Sequence, residues 1–328
     1  MPSATIQNAA MFPIRSAALA FVALLAAFAV DARAVTIAWS PVGNPGNAND
    51  GTGFGAVNYN YSIGKYDVTN NQYVEFLNTK DATGANTLGL WNSDMADATF
   101  GGINFNAGNA SGNKYTLISD AQNHPVNFVT WYDTIRFANW LNNGQGSGDT
   151  ETGAYTLLGG TPTPSNANGI TRNAGAIVFL PSQNEWYKAA YNIPGTNSYF
   201  QFPTSSNTSP TASVPTGATN SANYNGVVNN LTDVGAYTGT TSPYGAFDMG
   251  GNVYQWNETL FGGSFRGLRG GWFGSLAGDL QSSGFHVGGP TNDGVPFGFR
   301  VAYIPEPSTG VLAVIACGLM WWWRKRFK

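Results

Sequence analysis

Cysteine and histidine, the side chains that most often bind transition metals or act as nucleophiles, are scarce in this sequence. The 328 residues include one cysteine, Cys317, and two histidines, His124 and His286. Because Cys317 lies in a C-terminal apolar run, the remainder of the sequence carries no thiol and no disulfide. A metal site that needs three histidines is excluded by count. Phosphate-binding glycine loops and helical histidine pairs are also missing, so neither a nucleotide nor haem is expected.

Carboxylates and amides are the polar groups that remain for chemistry. Eighteen acidic and fifteen basic residues give a net charge of −3, so nucleic acid is not expected as a partner. Any two of the acids could form a pair for glycoside hydrolysis, and the spacing favours none. Charged residues make up only 10% of the chain, and Gly, Asn, Ser and Thr take their place. This composition predicts a loop-rich fold held by side-chain-to-backbone hydrogen bonds.

Three short helices are predicted to support these loops. Three segments, 69–72, 130–133 and 182–185, have the pattern of a capping box, the second in a looser form. Each is followed by apolar residues at helical spacing, which predicts one face packed on the core.

Strands and loops are predicted between these helices. Two short apolar segments bounded by turn residues, 177–180 and 299–303, predict strands. Two stretches rich in Gly, Pro, Ser, Thr and Asn, 142–173 and 196–220, predict long surface loops. No internal repeat or linker divides residues 35–304, which predicts a single domain.

The N-terminal 34 residues have the pattern of an export signal. Arg15 provides a positive charge, residues 17–30 form a short apolar stretch, and Ala32 and Ala34 are small residues suited to signal peptidase. We therefore expect cleavage after Ala34, and an uncleaved anchor is the alternative. Residues 35–304 are expected to act outside the cytoplasm.

The C-terminal residues 305–328 form a second targeting pattern. An apolar run, 309–323, would reach about 22 Å as a helix, short of the roughly 30 Å bilayer core. The tripeptide Pro305, Glu306, Pro307 precedes this run, and Arg324, Lys325 and Arg326 follow it. Basic residues at that end are expected to stay cytoplasmic.

This order of tripeptide, short apolar run and basic end resembles the PEP-CTERM sorting signal of Gram-negative bacteria. The resemblance implies an exosortase-type protease as a partner and an inner-membrane anchor, transient or permanent. It implies release to the cell surface or to an extracellular polysaccharide matrix. A plain tail anchor is the alternative.

Six blocks of the intervening chain occur in an order that resembles the sulfatase-modifying-factor family, the formylglycine-generating enzymes and their relatives. The blocks are residues 63–70, 124–133, 179–186, 248–256, 268–272 and 298–301. The resemblance implies an α+β fold, a single C-type-lectin-like domain with little regular secondary structure and long loops. It also places segments 269–271 and 298–300 in a central antiparallel sheet.

The copper site of the family's oxidases is not expected here. Those enzymes bind copper through two cysteines spaced five residues apart, after the Arg-Gly-Gly block. In this chain the matching positions are Ser275 and Leu280. Because Cu(I) requires soft thiolate ligands, formylglycine-generating oxidase activity is not expected and no catalytic residue is assigned.

A calcium site is a second implication of the resemblance. The family's ligands match Asp248, Gly251, Val253 and Gln255. Calcium prefers oxygen ligands, and Gln255 offers a neutral amide where the family has a carboxylate. We therefore expect a weakened calcium site, and the alternative is a glycine-rich turn capped by Asp248.

Ligand binding is the function that the resemblance leaves open. The stretch in which the enzymes bind substrate matches six residues here: Trp272, Phe273, Ser275, His286, Asn292 and Asp293. Aromatic faces and amides suit a saccharide, so we expect a non-catalytic binding protein of the cell surface or matrix. The alternatives are an enzyme that uses other residues of the same cleft and a scaffold that displays variable ligand-binding loops. The two aromatic residues could instead belong to the core.

Overall fold

The computed structural model describes residues 34–305 and places three helices at the predicted capping boxes. Helix α1 spans Asn70–Lys80, α2 spans Trp131–Asn142 and α3 spans Gln183–Tyr191. In each helix, the side chain of the N-cap residue accepts a hydrogen bond from the backbone N–H of the third helical residue. The side chain of that third residue in turn accepts from the backbone N–H of the N-cap residue. The three predicted helices are therefore confirmed. Shorter elements are α4 (Ala277–Leu280) and the 3-10 helices Ser93–Ala96 and Ala167–Gly169.

Twelve short strands form two four-stranded and two two-stranded sheets in the described residues. The first four-stranded sheet has the order β1-β2-β12-β5, and the second has the order β10-β9-β8-β11. The strands are β1 (Trp39–Val42), β2 (Tyr61–Gly64), β3 (Ile103–Phe105), β4 (Tyr115–Leu117), β5 (Val178–Phe179), β6 (Thr211–Ala212), β7 (Ser221–Ala222), β8 (Tyr254–Phe261), β9 (Phe265–Arg269), β10 (His286–Gly288), β11 (Phe297–Phe299) and β12 (Ala302–Tyr303).

Two details of the predicted sheets are wrong. The segment 299–303 is not one strand, because the chain leaves β11 after Phe299 and enters β12 of the other sheet at Ala302. Between them the fully buried Arg300 side chain binds backbone carbonyls. The sheet that contains β9 is also mixed rather than antiparallel, since β11 pairs with β8 in parallel.

The long loops carry the polar bonding that the composition predicts. Helix α2 ends at Asn142, and from there to β5 the only regular structure is one 3-10 turn. Amide side chains hold this loop: Asn143 Nδ2 donates to the carbonyls of Asp149 and Thr152 at 2.8 and 2.7 Å, and Asn173 Nδ2 donates to Gly153 at 2.9 Å. An α+β fold with loops is thus confirmed.

Aromatic side chains fill the core between α1, α2 and the mixed sheet. The rings of Phe76 and Phe137 have centroids 5.3 Å apart, and Phe137 lies 5.4 Å from Phe299 of β11. Edge-to-face contacts of this kind add to the stabilisation from burial itself. They fix β11 and its neighbour β8 against the helices, and β8 carries part of the site described below.

Both predicted targeting segments fall outside this description. The signal peptide (1–34) lies before it except for Ala34, and of the sorting signal only Pro305 is described. Glu306, Pro307, Arg324, Lys325 and Arg326 lie beyond the described residues, so both signals stay predictions. Within residues 34–305, no helix is long and apolar enough to cross a membrane.

Candidate functional site

A cluster of four polar side chains, Tyr254, Ser275, Asp279 and His286, lies beside the mixed sheet; we call it the Ser275 cluster. Tyr254 begins β8, and His286 begins β10 at the end of the sheet order. The ring centroids of these two residues are 5.0 Å apart. Ser275 and Asp279 come from the turn and short helix that follow β9. Three segments of the chain, around residues 254, 275–279 and 286, thus converge at this point.

Hydrogen bonds join the members of the Ser275 cluster. Ser275 Oγ accepts from the Trp272 N–H at 3.1 Å and donates to the Tyr254 hydroxyl at 3.2 Å. His286 Nε2 lies 2.9 Å from Asp279 Oδ1. Ser275 is only 3% exposed, whereas the side chains of His286 and Asp279 are 43% and 30% exposed. The serine therefore forms the floor, and the imidazole and the carboxylate reach solvent.

The environment fixes the protonation of two members. Burial raises the pKa of Tyr254 to about 12, with a further contribution from the Asp279 carboxylate, so its hydroxyl stays protonated. Partial burial raises the pKa of Asp279, but hydrogen bonds from His286 and Ser275 outweigh it and hold that pKa below its ordinary value. At neutral pH the cluster therefore presents an ionised carboxylate beside a neutral phenol.

The geometry favours binding over catalysis. Ser275 Oγ bonds to the Trp272 N–H and the Tyr254 hydroxyl, and the described hydrogen bonds do not join it to the His286 imidazole that would have to activate it as a nucleophile. A carboxylate with a lowered pKa is also a weak general base at neutral pH. Within residues 34–305, no group of three His, Cys, Asp or Glu side chains is arranged to hold a metal.

Arg269, at the end of β9, holds the loop that carries His286. Its Nη1 donates to the carbonyls of Ser282, at 3.0 Å, and of Gly284. The guanidinium lies 5.3 Å from the ring of Phe285 and 5.1 Å from that of Tyr187, within the range of cation–π attraction. Arg269 is 1% exposed, so it acts as a buried clamp that positions the neighbouring His286.

The two copper positions of the family meet at one point of this structure. A Cβ built on Gly271 would lie 3.2 Å from Ser275 Cβ and 2.8 Å from Leu280 Cδ1, so both side chains pack around the same glycine. Gly271 has a φ of 74°, which suits glycine. The two predicted copper positions thus hold a serine and a leucine that are both buried.

The predicted calcium loop is built around an arginine. The Gln255 amide oxygen accepts from Trp186 Nε1 at 2.6 Å and from Arg300 Nε at 2.7 Å, and Gln255 Nε2 donates to the Asp248 carbonyl at 2.8 Å. Arg300 also pairs with the buried Asp67 at 3.0 Å. We call Asp67, Asp248, Gln255 and Arg300 the Arg300 centre.

These bonds leave the Gln255 oxygen committed to two donors, one of them cationic, so it is not free to bind calcium in this arrangement. The Asp248 carboxylate accepts from the Gly235 N–H at 2.6 Å, and burial raises its pKa to about 6. Gly251 and Val253 are buried in the same loop. The donor set does not fit calcium as arranged, and calcium binding here stays a prediction without support from the geometry.

The other predicted ligand contacts divide between surface and core. Trp272 is half-buried, and Asn292 and Asp293 are exposed in the turn after β10. Phe273, by contrast, is 3% exposed and stacks on Phe100 with centroids 5.8 Å apart. Phe273 is therefore a core residue, and its assignment to ligand binding is corrected.

Tyr254, Asp279 and Arg269 complete the site, although the sequence did not indicate them as functional. Their roles depend on the pairing of β8, β9 and β10, which no local pattern predicts. The one sequence signal near them was the Arg-Gly-Gly block, in which Arg269 is the first residue.

One acid pair lies close together elsewhere in the described chain, at Glu185 and Glu258. Arg172 bridges them, with Nη2 2.5 Å from Glu185 Oε2 and 2.6 Å from Glu258 Oε1. Since the guanidinium occupies the space between the two carboxylates, a sugar ring cannot enter there. This pair stabilises the fold and does not form a glycosidase site.

Comparison with known families identifies the class of protein to which this fold belongs. The sulfatase-modifying factor enzyme 1-like domain matches residues 55–304, and this chain belongs to that family. A relative, the serine/threonine-protein kinase pkn1 of Chlamydia caviae, is 26% identical over 200 residues, which are 55% of this chain and 24% of that protein. The likeness thus concerns about a quarter of the kinase.

Solved structures share the fold. CarF has a TM-score of 0.52 and 20% identity, with 83% of this chain and 100% of that chain covered. Treponema denticola variable protein 1 has a TM-score of 0.50 and 19% identity, with 83% and 96% covered. At these identities the comparison establishes the common fold and says nothing further about ligands.

Proposed function

We propose that this protein is an exported, non-catalytic member of its family that binds a saccharide at the Ser275 cluster. The observation that carries the proposal is the His286–Asp279 pair, whose two side chains are 2.9 Å apart and both reach solvent in the same cluster as the buried Ser275. Its site of action would be the cell surface or extracellular matrix, after sorting by an exosortase-type protease.

The chemistry of the cluster suits a sugar. A sugar ring offers a C–H face that packs on aromatic rings and hydroxyls that donate and accept hydrogen bonds. The Ser275 cluster presents an imidazole and a carboxylate to solvent next to the mostly buried ring of Tyr254, and the half-buried Trp272 bonds to Ser275 through its backbone N–H. The carboxylate accepts from sugar hydroxyls, and charge-assisted bonds of this kind are the stronger ones.

Binding is tested with the full chain, purified in detergent, on a glycan array and then by titration calorimetry. We expect at least one glycan to bind, and His286→Ala to weaken its affinity about tenfold or more with an unchanged melting temperature. His124→Ala is the matched control, because His124 also faces an aspartate, with Nε2 3.7 Å from Asp233 Oδ1. Equal affinities of the His286 variant and the wild type would overturn the proposal.

A hydrolase is the second candidate, favoured by the convergence of a serine, an acid and a histidine at one place. It requires the His286 imidazole to leave Asp279 and reach Ser275. An activity-based fluorophosphonate reagent, which labels activated serines, separates the two candidates. We expect no labelling of the full chain, and labelling that disappears in Ser275→Ala would establish the hydrolase instead.

A further inference from the structure

The positive charges of the described domain are withdrawn from its surface. Residues 34–305 contain nine lysines and arginines, and none of the nine is exposed. The arginines serve as internal clamps: Arg136, Arg266, Arg269 and Arg300 are at most 1% exposed, and Arg172 bridges two glutamates. Arginine in this fold therefore stabilises loops and does not recognise external anions.

The four lysines also contact groups of the protein itself. Lys80 Nζ donates to the Gly148 carbonyl at 2.6 Å, and Lys188 Nζ donates to the Asn44 carbonyl at 2.8 Å. Lys114 Nζ donates to the Ala107 carbonyl at 2.6 Å. Lys65 is half-buried, and its Nζ lies 5.5 Å from the centroid of the Phe247 ring. Three of the four ammonium groups thus bond to backbone carbonyls, and none of the four lysines is fully exposed.

The negative charges are distributed in the opposite way. The same residues hold sixteen acids against nine bases, a difference of seven negative charges. Six aspartates are exposed: Asp94, Asp97, Asp120, Asp149, Asp233 and Asp293. A surface of one sign repels polyanions and concentrates cations near it.

The Ser275 cluster has the same polarity. Asp279 is 30% exposed in its side chain, whereas Tyr254 of the same cluster is only 9% exposed. The accessible carboxylate is therefore the group of the cluster that attracts an ammonium group. The nearest arginine in this part of the fold, Arg269, is buried with its Nη1 bound to two carbonyls.

We infer that the saccharide bound at the Ser275 cluster is cationic: a glycan of amino sugars with free, protonated amines. The inference rests on the proposed function and narrows its ligand class. In the complex an ammonium group donates to Asp279 while the sugar ring packs on the adjacent aromatic residues. Uronic-acid and sulfated glycans are not expected to bind, because no lysine or arginine of residues 34–305 is exposed to pair with them.

The test compares three oligosaccharides on the full chain: a glucosamine hexamer, its fully N-acetylated form and an alginate hexamer. At low ionic strength we expect the amine form to bind at least tenfold more tightly than the acetylated form, and alginate not to bind. Raising the salt to about 0.5 M should reduce this preference, because salt screens exposed charges.

Two variants locate the effect. Asp279→Asn is expected to remove the preference for the amine form, whereas Asp149→Asn, an exposed aspartate of the loop after α2, should keep it. Equal affinity for the amine and acetylated forms, or binding of alginate, would overturn the inference and leave saccharide binding intact. Binding of no glycan at all would instead overturn the proposed function. If Asp279→Asn does not fold, the salt dependence of the wild type still tests whether the preference for the amine form is electrostatic.

Discussion

The Arg300 centre contains the predicted calcium loop and the Ser275 cluster contains one of the two predicted copper positions, and the two regions differ in their access to solvent. In the Arg300 centre, one buried guanidinium donates to two side chains and to the carbonyls of Gly64 and Phe247. In the Ser275 cluster, the imidazole and the carboxylate keep solvent access. In the first region the guanidinium bonds only to groups inside the fold, whereas the second region can still bond to a ligand.

This difference indicates which of the two regions can bind a ligand although neither has the metal ligands of the family. A buried ion such as Arg300 needs every donor satisfied, so the residues around it are constrained by stability. Ser275 and Leu280 could replace thiolates without such a cost, because a hydroxyl bound to Trp272 N–H and an aliphatic side chain are both compatible with burial. The solvent-accessible His286 and Asp279 of the same cluster can therefore contact a ligand.

The largest effect that separates the two regions is expected for Arg300→Met. The substitution leaves Asp67 buried without its partner, which costs about 3–5 kcal/mol of unfolding free energy. Chemical denaturation of the full chain measures the loss, with Lys114→Met, a half-buried lysine, as the control. A loss below about 1 kcal/mol would mean that the Arg300 centre does not support the fold as described.

The pH dependence of stability is the second test of the Arg300 centre. Burial raises the pKa of Asp67 to about 7, above the 3.8 of an unperturbed aspartate, although Arg300 opposes the shift. The folded state therefore binds this proton more tightly than the unfolded state. The resulting stabilisation is complete below about pH 4 and is lost as the pH rises through 7.

Asp67→Asn isolates this contribution, because the amide cannot ionise and its oxygen can still accept from Arg300. Relative to the variant, the wild type should lose on the order of 3 kcal/mol between pH 4.5 and 7.5. Parallel denaturation curves at both pH values measure the difference. Asp149→Asn, at an exposed position, should show no such trend, and a wild type that gains stability with pH relative to Asp67→Asn would refute the assignment.

Arg269→Met tests the clamp between the sheet and the Ser275 cluster. Losing the bonds to Ser282 and Gly284 should cost about 2–3 kcal/mol, and the freed loop should weaken ligand affinity as well. Stability and binding are thus expected to fall together, unlike in His286→Ala, where binding falls alone. Melting curves and calorimetry on the same preparation compare the two variants. An Arg269→Met variant with full affinity would show that His286 is positioned independently of the clamp.

Local signals predicted the helices, whereas the site depended on long-range pairing. The helix starts at Thr69, Thr130 and Ser182 were predictable because a capping box involves only four consecutive residues. The break between β11 and β12 was not, since it follows from the burial of Arg300 among carbonyls more than 50 residues away. No window of sequence contains both partners of such a contact.

The candidate site was only partly predictable, because its contacts also join residues that no single sequence window contains. Position matching with the family indicated Ser275 and His286, which the structure joins through Tyr254. Position matching also indicated Phe273, which is buried. The sequence does not show which of two adjacent aromatic residues in a turn faces the core. Asp279 escaped notice because its partner is seven residues away and becomes its neighbour only when β10 pairs with β9.

The smallest expected effect belongs to Ser182→Ala, which removes the N-cap of α3. Ser182 Oγ accepts from the Glu185 N–H at 3.2 Å, and loss of such a cap costs about 1 kcal/mol. Helix α3 carries Trp186, which bonds to Gln255, and Tyr187, which packs on Arg269, but the lost cap bond belongs to neither contact. Stability should therefore fall slightly while ligand affinity stays constant, and Ser209→Ala, at an exposed serine outside the helices, should alter neither. If Ser182→Ala weakened binding without lowering the melting temperature, the two regions would be coupled through α3, and the separation drawn between scaffold and site would fail.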